Sequence, residues 1–458
     1  LDAEALGRLF TLPELRRAFG VLLPAEQRGG KTALLAAIDD LELSDSELLA
    51  HAAILESRRV IAPLGGDTVG VLQTLFFGNR RQSLTEFVLS DLGVARYYPY
   101  SLERSQRLFP RRQALDEYLQ CCSLSDRWHE LREAGDGDGL RALYTAVAAQ
   151  APAFTPGRRR WFRLCNGLAR DLERLGCDDE ALALYSSSEL HPARERAARI
   201  LERRQDWTGA AARCEAILAA PWGEEEQEAA TRILARVRRK LGAPAQPRRR
   251  DGFTRIDLCL APADEAVELL AAQALAGSGR SVYYVENSLF NALFGLAFWE
   301  QIFAPVPGAF NHPYQSAPAD MYQAGFRQRR EEALTRRLAQ LRTADLGQLL
   351  PAAWDSYRDY QCRWVNWRYI DRELVAAASA IIPAAQLCAI WERLLFDPGD
   401  NRRGFPDLLA LGQQPGDYQL IEVKGPGDNL QDSQKRWLRF FARQGVPAAV
   451  AWVSWCHD

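Results

Sequence analysis

The stretch from Gly404 to Gln434, GFPDLLALGQQPGDYQLIEVKGPGDNLQDSQ, sets charges where a sheet favours aliphatic residues. DLLAL and YQLIEVK read as strands, and GQQPGD between them is a turn. Pro406 is tolerated because it stands at a strand's start. Alternate residues of a strand share a face. Glu422 and Lys424 therefore project to one side, and Ile421 and Val423 to the other, into the core. Pairing across the turn brings Asp407, at the start of the first strand, beside Glu422. Two carboxylates that close repel, and one takes up a proton unless a cation lies between them. A divalent metal is the natural cation. The donors are oxygens, with no His or Cys near, which favours Mg2+ or Mn2+ over Zn2+. The backbone carbonyl of Val423 adds a neutral ligand. Lys424 is then free to orient an attacking water or to stabilise the charge that builds on a phosphate. The chemistry is phosphodiester hydrolysis. A solvated edge hairpin with a Glu–Lys pair would carry the same charges, but the apolar neighbours mark this strand as central.

The flanking elements must hold these groups. After Gly425-Pro426, Asp428 or Asn429 can cap a helix. Leu430, Gln434, Trp437, Leu438 and Phe441 then fall on one helical face. Gln434 is the polar member of that stripe. It reads either as a helix-boundary residue bonded to backbone or as a contact to the attacking water or the scissile phosphate. VPAAVAWVSW closes the region as a further strand. Upstream, YYVENSLFNALFGLAFWEQIF puts Glu286 just ahead of a helix expected from about Leu289 to Phe303. A carboxylate between apolar segments either caps that helix or binds the cation.

The 458-residue chain is long enough for two to four domains. It holds no run of about 18 apolar residues, and LDAEALGRLF lacks a signal-peptide core, so no membrane partner is expected. The nine Cys are scattered without zinc-like spacing and read as free core thiols in a reducing compartment. A net charge of −2 means that any anionic partner must be met by local basic patches. Lys appears only at 31, 240, 424 and 435, every other basic residue being Arg, which makes Lys424 stand out.

Three regions are expected: 1–135, 136–246 and, after a linker at 240–252, an α/β domain over 251–458. Two short helices over 9–42, the first with Thr11 as N-cap, resemble a SAP module or a generic helical hairpin. Over 53–135 the arginines at 80, 81, 96, 104, 107, 111 and 112 interleave with Tyr97, Tyr98 and Tyr100. That pattern suits DNA, or an ordinary helical domain with a solvated face. Residues 172–185 repeat without a gap in 201–214, a helical-repeat-like (tetratricopeptide-like) echo. Arg158, Arg159 and Arg160 beside Trp161 read either as a solvated helix start or as a phosphate-binding cluster.

The string G-x-P-D, 14 residues, then E-V-K-G-P-x-D-x-L-x-x-x-Q resembles the VRR-NUC branch of the PD-(D/E)XK nucleases. With a SAP-like start and a helical-repeat middle, the chain resembles the Fanconi-associated nuclease family, strongly over 281–458 and loosely before. The resemblance implies a multidomain protein: a helical DNA-binding region, a helical repeat and an α/β nuclease domain. It implies Glu286, Asp407, Glu422 and Lys424 as catalytic residues, with Glu286, Asp407, Glu422 and Val423 holding two Mg2+ or Mn2+ ions. Tyr284-Val285 ahead of Glu286 departs from the small residue expected of the family. Gln315 and Asp320 match positions that line the family's site. The implied activity is cleavage of branched or flapped double-stranded DNA near a 5′ flap and 5′-to-3′ digestion, in repair that includes interstrand crosslinks. Relatives read a 5′ phosphate with a basic pocket in the middle region. Arg158, Arg159, Arg160, Arg194 and Arg196 are the candidates here. The ubiquitin-binding zinc finger of eukaryotic relatives has no Cys/His counterpart in this chain, and a bacterial, cytoplasmic, nucleoid-associated enzyme is expected. A junction resolvase or a catalytically dead repair scaffold are the alternatives.

Overall fold

The computed structural model describes residues 6–7, 9–41, 43–53, 66–244, 251–277, 279–323 and 325–456. Two compact units are present, Leu1–Leu72 and Gln73–Asp458. The linker expected at 240–252 falls in part on 245–250, outside the described residues.

The first unit holds the two expected helices, Leu12–Phe19 and Lys31–Asp39, and a third, Asp45–Ala52. Thr11 opens the first through a capping box. Its N–H and hydroxyl both donate to the Glu14 carboxylate, at 2.7 and 2.8 Å. Phe10, Leu15, Phe19, Leu34, Ile38 and Leu48 form its core.

In the second unit, seven helices run from Arg112–Glu133 to Glu224–Lys240. The sequence echo is one corner used twice. Gly176 and Gln205, at equivalent positions, both take positive φ (77° and 62°), and Ala181 and Ala210 are fully buried where the next helix begins. The tyrosines of the Arg/Tyr stretch are half-buried and engaged with neighbouring groups. Tyr100 stacks on Phe310 at 3.9 Å, Tyr98 packs on Trp299 and Phe303, and the Tyr97 hydroxyl donates to Glu86. Tyr98 and Tyr100 are partly buried against the large core, rings packed and hydroxyls bonded. The side chain of Arg104 lies outside the described residues.

Five strands make the sheet: β1 (Thr254–Leu260), β2 (Ser281–Tyr284), β3 (Leu408–Leu411), β4 (Tyr418–Lys424) and β5 (Ala448–Trp455). Their order is β1-β5-β4-β3-β2, with β2, β3 and β4 antiparallel and β4, β5 and β1 parallel. β4 is central, as its aliphatic run predicts. One face packs Leu408, Ile421 and Val423 against the Val267–Leu275 helix through Ala271. The other, with Leu409 and Leu420, joins the large core around Phe290, Phe294, Trp391 and Trp437. The expected free-thiol set needs one correction. Parallel pairing of β1 with β5 brings Cys259 to Cys456, Cα atoms 5.3 Å apart, and these two are bonded. The seven other cysteines are free, and six of them are buried. Among the described residues no single helix is long and apolar enough to cross a membrane.

Two further boundaries differ from expectation. The helix after Glu286 runs Leu289–Ala297 and breaks at Phe298 before a single turn, Trp299–Ile302. The last helix begins at Asp432, not at Asp428, because Gln431 and Gln434 form its capping box. Asp428 instead accepts the Gly425 N–H at 3.0 Å, closing the turn after β4. Leu430 therefore precedes the helix, while Trp437, Leu438 and Phe441 are its buried stripe.

The Gly404-Phe405-Pro406 turn is fixed by packing. Phe405 is sandwiched between Phe290 and Trp437, at 5.0 and 4.0 Å, and the Trp437 indole donates to the carbonyls of Asn401 and Arg403. Gly404 has φ 83°, and a Cβ there would lie 2.8 Å from the carbonyl carbon of Ser433. Gly404→Ala meets both a left-handed backbone and that backbone clash. It should lower stability by about 1–3 kcal/mol. Urea unfolding measures this, and an unchanged midpoint would contradict the packing described.

Candidate active site

Asp407 stands where three strands meet. Its carbonyl accepts the N–H groups of Val285 and Glu286 at 2.8 and 3.0 Å, just past β2. Its carboxylate Oδ2 accepts the Val423 N–H of β4 at 2.8 Å. Leu408 pairs with Ile421, so the next step of the register sets Asp407 against Glu422, as the hairpin predicts.

Glu286 has φ 31°, an uncommon backbone for a residue with a side chain, held by its N–H bond to Asp407. Its carboxylate accepts the Tyr284 hydroxyl at 2.8 Å and the Asn287 amide at 3.1 Å. Asn287 also accepts the Phe405 N–H at 3.3 Å, so one side chain ties Glu286 to the Gly-Phe-Pro turn. Tyr284 and Asn287 escaped the sequence analysis. The signal for Tyr284 was its spacing, two residues before Glu286 on an extended segment.

Glu422 has 1% of its side chain exposed. Lys424 Nζ stands 2.7 Å from its Oε1 as an ion pair, yet neither carboxylate oxygen receives an aligned hydrogen bond. A charged carboxylate in that state is costly. Burial pushes Glu422 up to about 8, Asp407 adds to the push, and Lys424 opposes it. Burial likewise raises Asp407 to about 6, against the Val423 N–H and Lys424, with Glu268 and Glu286 adding to the rise.

A divalent cation fits this chemistry. The donors are oxygens, and those of Glu422 are buried without hydrogen-bond partners. Among the described residues no three carboxylate, His or Cys groups have already closed into a metal cluster, so a cation would have to draw Glu286, Asp407 and Glu422 together.

The other predicted residues sit elsewhere. Gln434 Oε1 accepts the Gln431 N–H at 2.8 Å, the bond of the cap reading. Gln315 turns into its own loop. It accepts from the Asn311 and His312 amides and donates to the carbonyls of Ala309 and Ala317, which leaves no group to line the site. Asp320, buried, is held by Arg329 at 2.7 Å and Arg330 at 2.9 Å.

A cavity of about 540 Å³ lies among Arg158, Arg159, Arg163, His191, Trp222 and Tyr322. Arg158 pairs with Glu189 at 3.0 Å, and burial pulls Arg159 down to about 10. Arg160 turns away, over the Tyr118 ring at 5.3 Å. Arg194 and Arg196 are engaged by the carboxylates of Glu226 and Glu173, both buried, and do not line this cavity. Arg163, which has no carboxylate partner among the described residues, was missed. Its signal was helical spacing, four residues after Arg159.

Residues 342–455 match the VRR-NUC domain. That span contains Asp407, Glu422 and Lys424, and Glu286 lies before it. The Fanconi-associated nuclease 1 homolog of Pseudomonas aeruginosa is 38% identical over 392 residues, covering 84% of this chain and 69% of the relative. The homolog of Arabidopsis thaliana is 24% identical over 515 residues, and this chain spans 56% of its length. A crystal structure of paFAN1 bound to 5′ flap DNA with a gap superposes with a TM-score of 0.84 at 34% identity, over 100% of this chain and 83% of that one.

The raised carboxyls make a signed prediction. Each holds a proton in the fold over a range where the unfolded chain has lost it. Without metal, their contribution to stability is full below about pH 4 and is lost as pH rises through about 6 and then 8. In EDTA, wild type should lose stability relative to Glu422→Gln between pH 5 and 8, and Mn2+ should reverse the loss. A difference independent of pH in chemical unfolding would contradict the assignment.

Proposed function

This chain belongs to the Fanconi-associated nuclease family and is a DNA-cleaving enzyme; on that premise we propose that it cuts branched DNA near a 5′ flap and digests from 5′ ends, using divalent cations. The observation that carries the reading is Glu422, buried beside Asp407, its Oε1 in an ion pair with Lys424 at 2.7 Å and neither oxygen in an aligned hydrogen bond. Asp407, Glu422, the Val423 carbonyl and Glu286 are the proposed ligands of two Mg2+ or Mn2+ ions. When bound, such ions act as Lewis acids on the phosphodiester and on water.

The chain's own groups do the rest. The Val423 N–H fixes the carboxylate of Asp407, and Tyr284 and Asn287 fix that of Glu286. Lys424 orients the attacking water and offsets the negative charge that builds on the phosphate oxygens. The burial of β4 keeps bulk water from the Glu422 carboxylate, so charge placed there acts at low dielectric.

Flap preference is supported by the paFAN1 complexes with 5′ flap DNA, which this chain resembles over its whole length. Residues 1–135 and 136–246 are the proposed DNA-gripping regions, with Arg158, Arg159 and Arg163 as receivers of a 5′ phosphate. The proposed cellular role is DNA repair, including interstrand crosslinks, on nucleoid DNA in the cytoplasm.

An end-labelled 5′ flap, a four-way junction and plain duplex test the reading side by side. Cutting near the flap base, abolished by EDTA and by Asp407→Ala, is expected. Preferred cutting of the junction would replace the flap reading with a resolvase. Lys424→Ala should slow cleavage by about 10²–10⁴-fold while leaving DNA binding intact. A loss below tenfold would make Lys424 structural. Replacing Arg159 and Arg163 together by Ala should remove the preference for a 5′-phosphorylated flap. An unchanged ratio of rates for phosphorylated and unphosphorylated flaps would move the pocket elsewhere.

A further inference from the structure

The cavity beside Arg158, Arg159 and Arg163 is built in part by two segments that meet there. Trp222 and Gly223 lead into the Glu224–Lys240 helix, and Asp397 and Asp400 follow the Ala384–Phe396 helix. The second segment runs on through Gly404, Phe405 and Pro406 to Asp407. Whatever joins the two segments therefore sets how far the cavity stands from the carboxylates. Arg393 joins them. Its guanidinium is buried, with Nε donating to Glu224 Oε1 at 2.9 Å and Nη2 paired with Glu224 Oε2. Nη1 donates to the Arg436 carbonyl at 3.1 Å, and the group lies over the rings of Trp437 and Phe440, 4.0 and 4.8 Å from their centres. Trp437 is the ring that stacks on Phe405 and holds the carbonyls of Asn401 and Arg403. The Arg393 carbonyl accepts the Asn401 amide at 2.9 Å. One residue thus binds the helix at the cavity, the segment that leads to Asp407 and the tryptophan that fixes that segment.

Stability alone is a poor reason for this arrangement. A buried ion pair is often no better than apolar residues of the same volume, and Trp437 and Phe440 would pack an aliphatic chain well. What the guanidinium adds is direction, because a two-pronged bond to one carboxylate fixes both separation and angle. We infer that Arg393 is a positioning residue of the nuclease: through Glu224 and Trp437 it fixes the separation between the cavity that receives a 5′ phosphate and the Asp407–Glu422 centre, and so the place on the strand where the cut falls. This rests on the proposed function of both sites and adds what sets the distance between them. A second seam runs beside the first. Glu228, one turn after Glu224 on the same helix face, pairs with Arg439 at 2.8 Å and Arg436 at 3.5 Å, both on the Asp432–Gln444 helix that carries Trp437.

The test maps cut positions on an end-labelled 5′ flap, phosphorylated and unphosphorylated, for wild type, Arg393→Met, Glu224→Ala and Arg342→Gln, with the melting temperature of each. Arg393→Met keeps an unbranched chain on the two rings, and Glu224→Ala carries the test should that variant not fold. Arg342→Gln breaks the ion pair of Glu392, the residue beside Arg393, and is the control. Wild type should cut the phosphorylated flap at one main position and spread its cuts without the phosphate. In a folded Arg393 or Glu224 variant, cutting at that position should fall about 10–100-fold, the scale for a small misplacement of reacting groups. Neighbouring positions should gain, and the phosphate should no longer narrow the pattern. Arg342→Gln should cut as wild type does. Wild-type positions in a folded Arg393 or Glu224 variant, a rate lowered equally at every position, or the same spread in Arg342→Gln would overturn the role of Arg393 and leave the proposed function standing. A wild-type pattern indifferent to the 5′ phosphate would overturn the cavity's role as phosphate receiver, and this inference with it.

Discussion

The site is organised around one buried carboxyl. Glu422 stands in the central strand of a five-stranded sheet, facing Asp407 across the hairpin, with Lys424 in an ion pair at Oε1 and no aligned hydrogen bond to either oxygen. A fold selected for stability alone would place an aliphatic residue there, as it does at Leu420, Ile421 and Val423. The nearby ammonium of Lys424 offsets only part of the repulsion, and burial holds a proton on the pair well into the neutral range. Such a site is unfavourable empty and favourable once a divalent cation displaces the proton, which is how a hydrolytic centre stores affinity for its metal.

The rest of the second unit serves to hold that pair still. Asp407 is pinned through its carbonyl to the end of β2 and through its carboxylate to β4. The stack of Phe290, Phe405 and Trp437 fixes the turn that delivers it. Glu286 owes its unusual backbone to the same carbonyl and its side-chain direction to Tyr284 and Asn287. Chemistry and packing are thus joined at a few residues, and neither aromatic stack nor glycine turn is separable from the position of the carboxylates.

Much of this was legible in the sequence, for identifiable reasons. Period-two alternation in YQLIEVK fixes which side Glu422 and Lys424 take, and the turn length fixes their register with Asp407. The capping box at Thr11 and the repeated helical corner were equally local signals. What local pattern did not carry was long-range pairing. Gln315 and Asp320 matched by position, yet their hydrogen bonds go to their own loop and to Arg329 and Arg330. Arg194 and Arg196 looked free because the carboxylates that engage them, Glu226 and Glu173, lie about 20 to 30 residues away in sequence. Tyr97, Tyr98 and Tyr100 read as a DNA surface because the rings that cover Tyr98 and Tyr100 come from 299–310. Local pattern carries strand, turn and cap, but the pairing of charges is settled only by the fold.

Anomalous diffraction from crystals grown with Mn2+ tests the central claim most directly. The account predicts a manganese peak within coordination distance of the carboxylates of both Asp407 and Glu422, lost in Glu422→Gln crystals. Crystals without a peak there, at a Mn2+ concentration that supports DNA cleavage in solution, would contradict it.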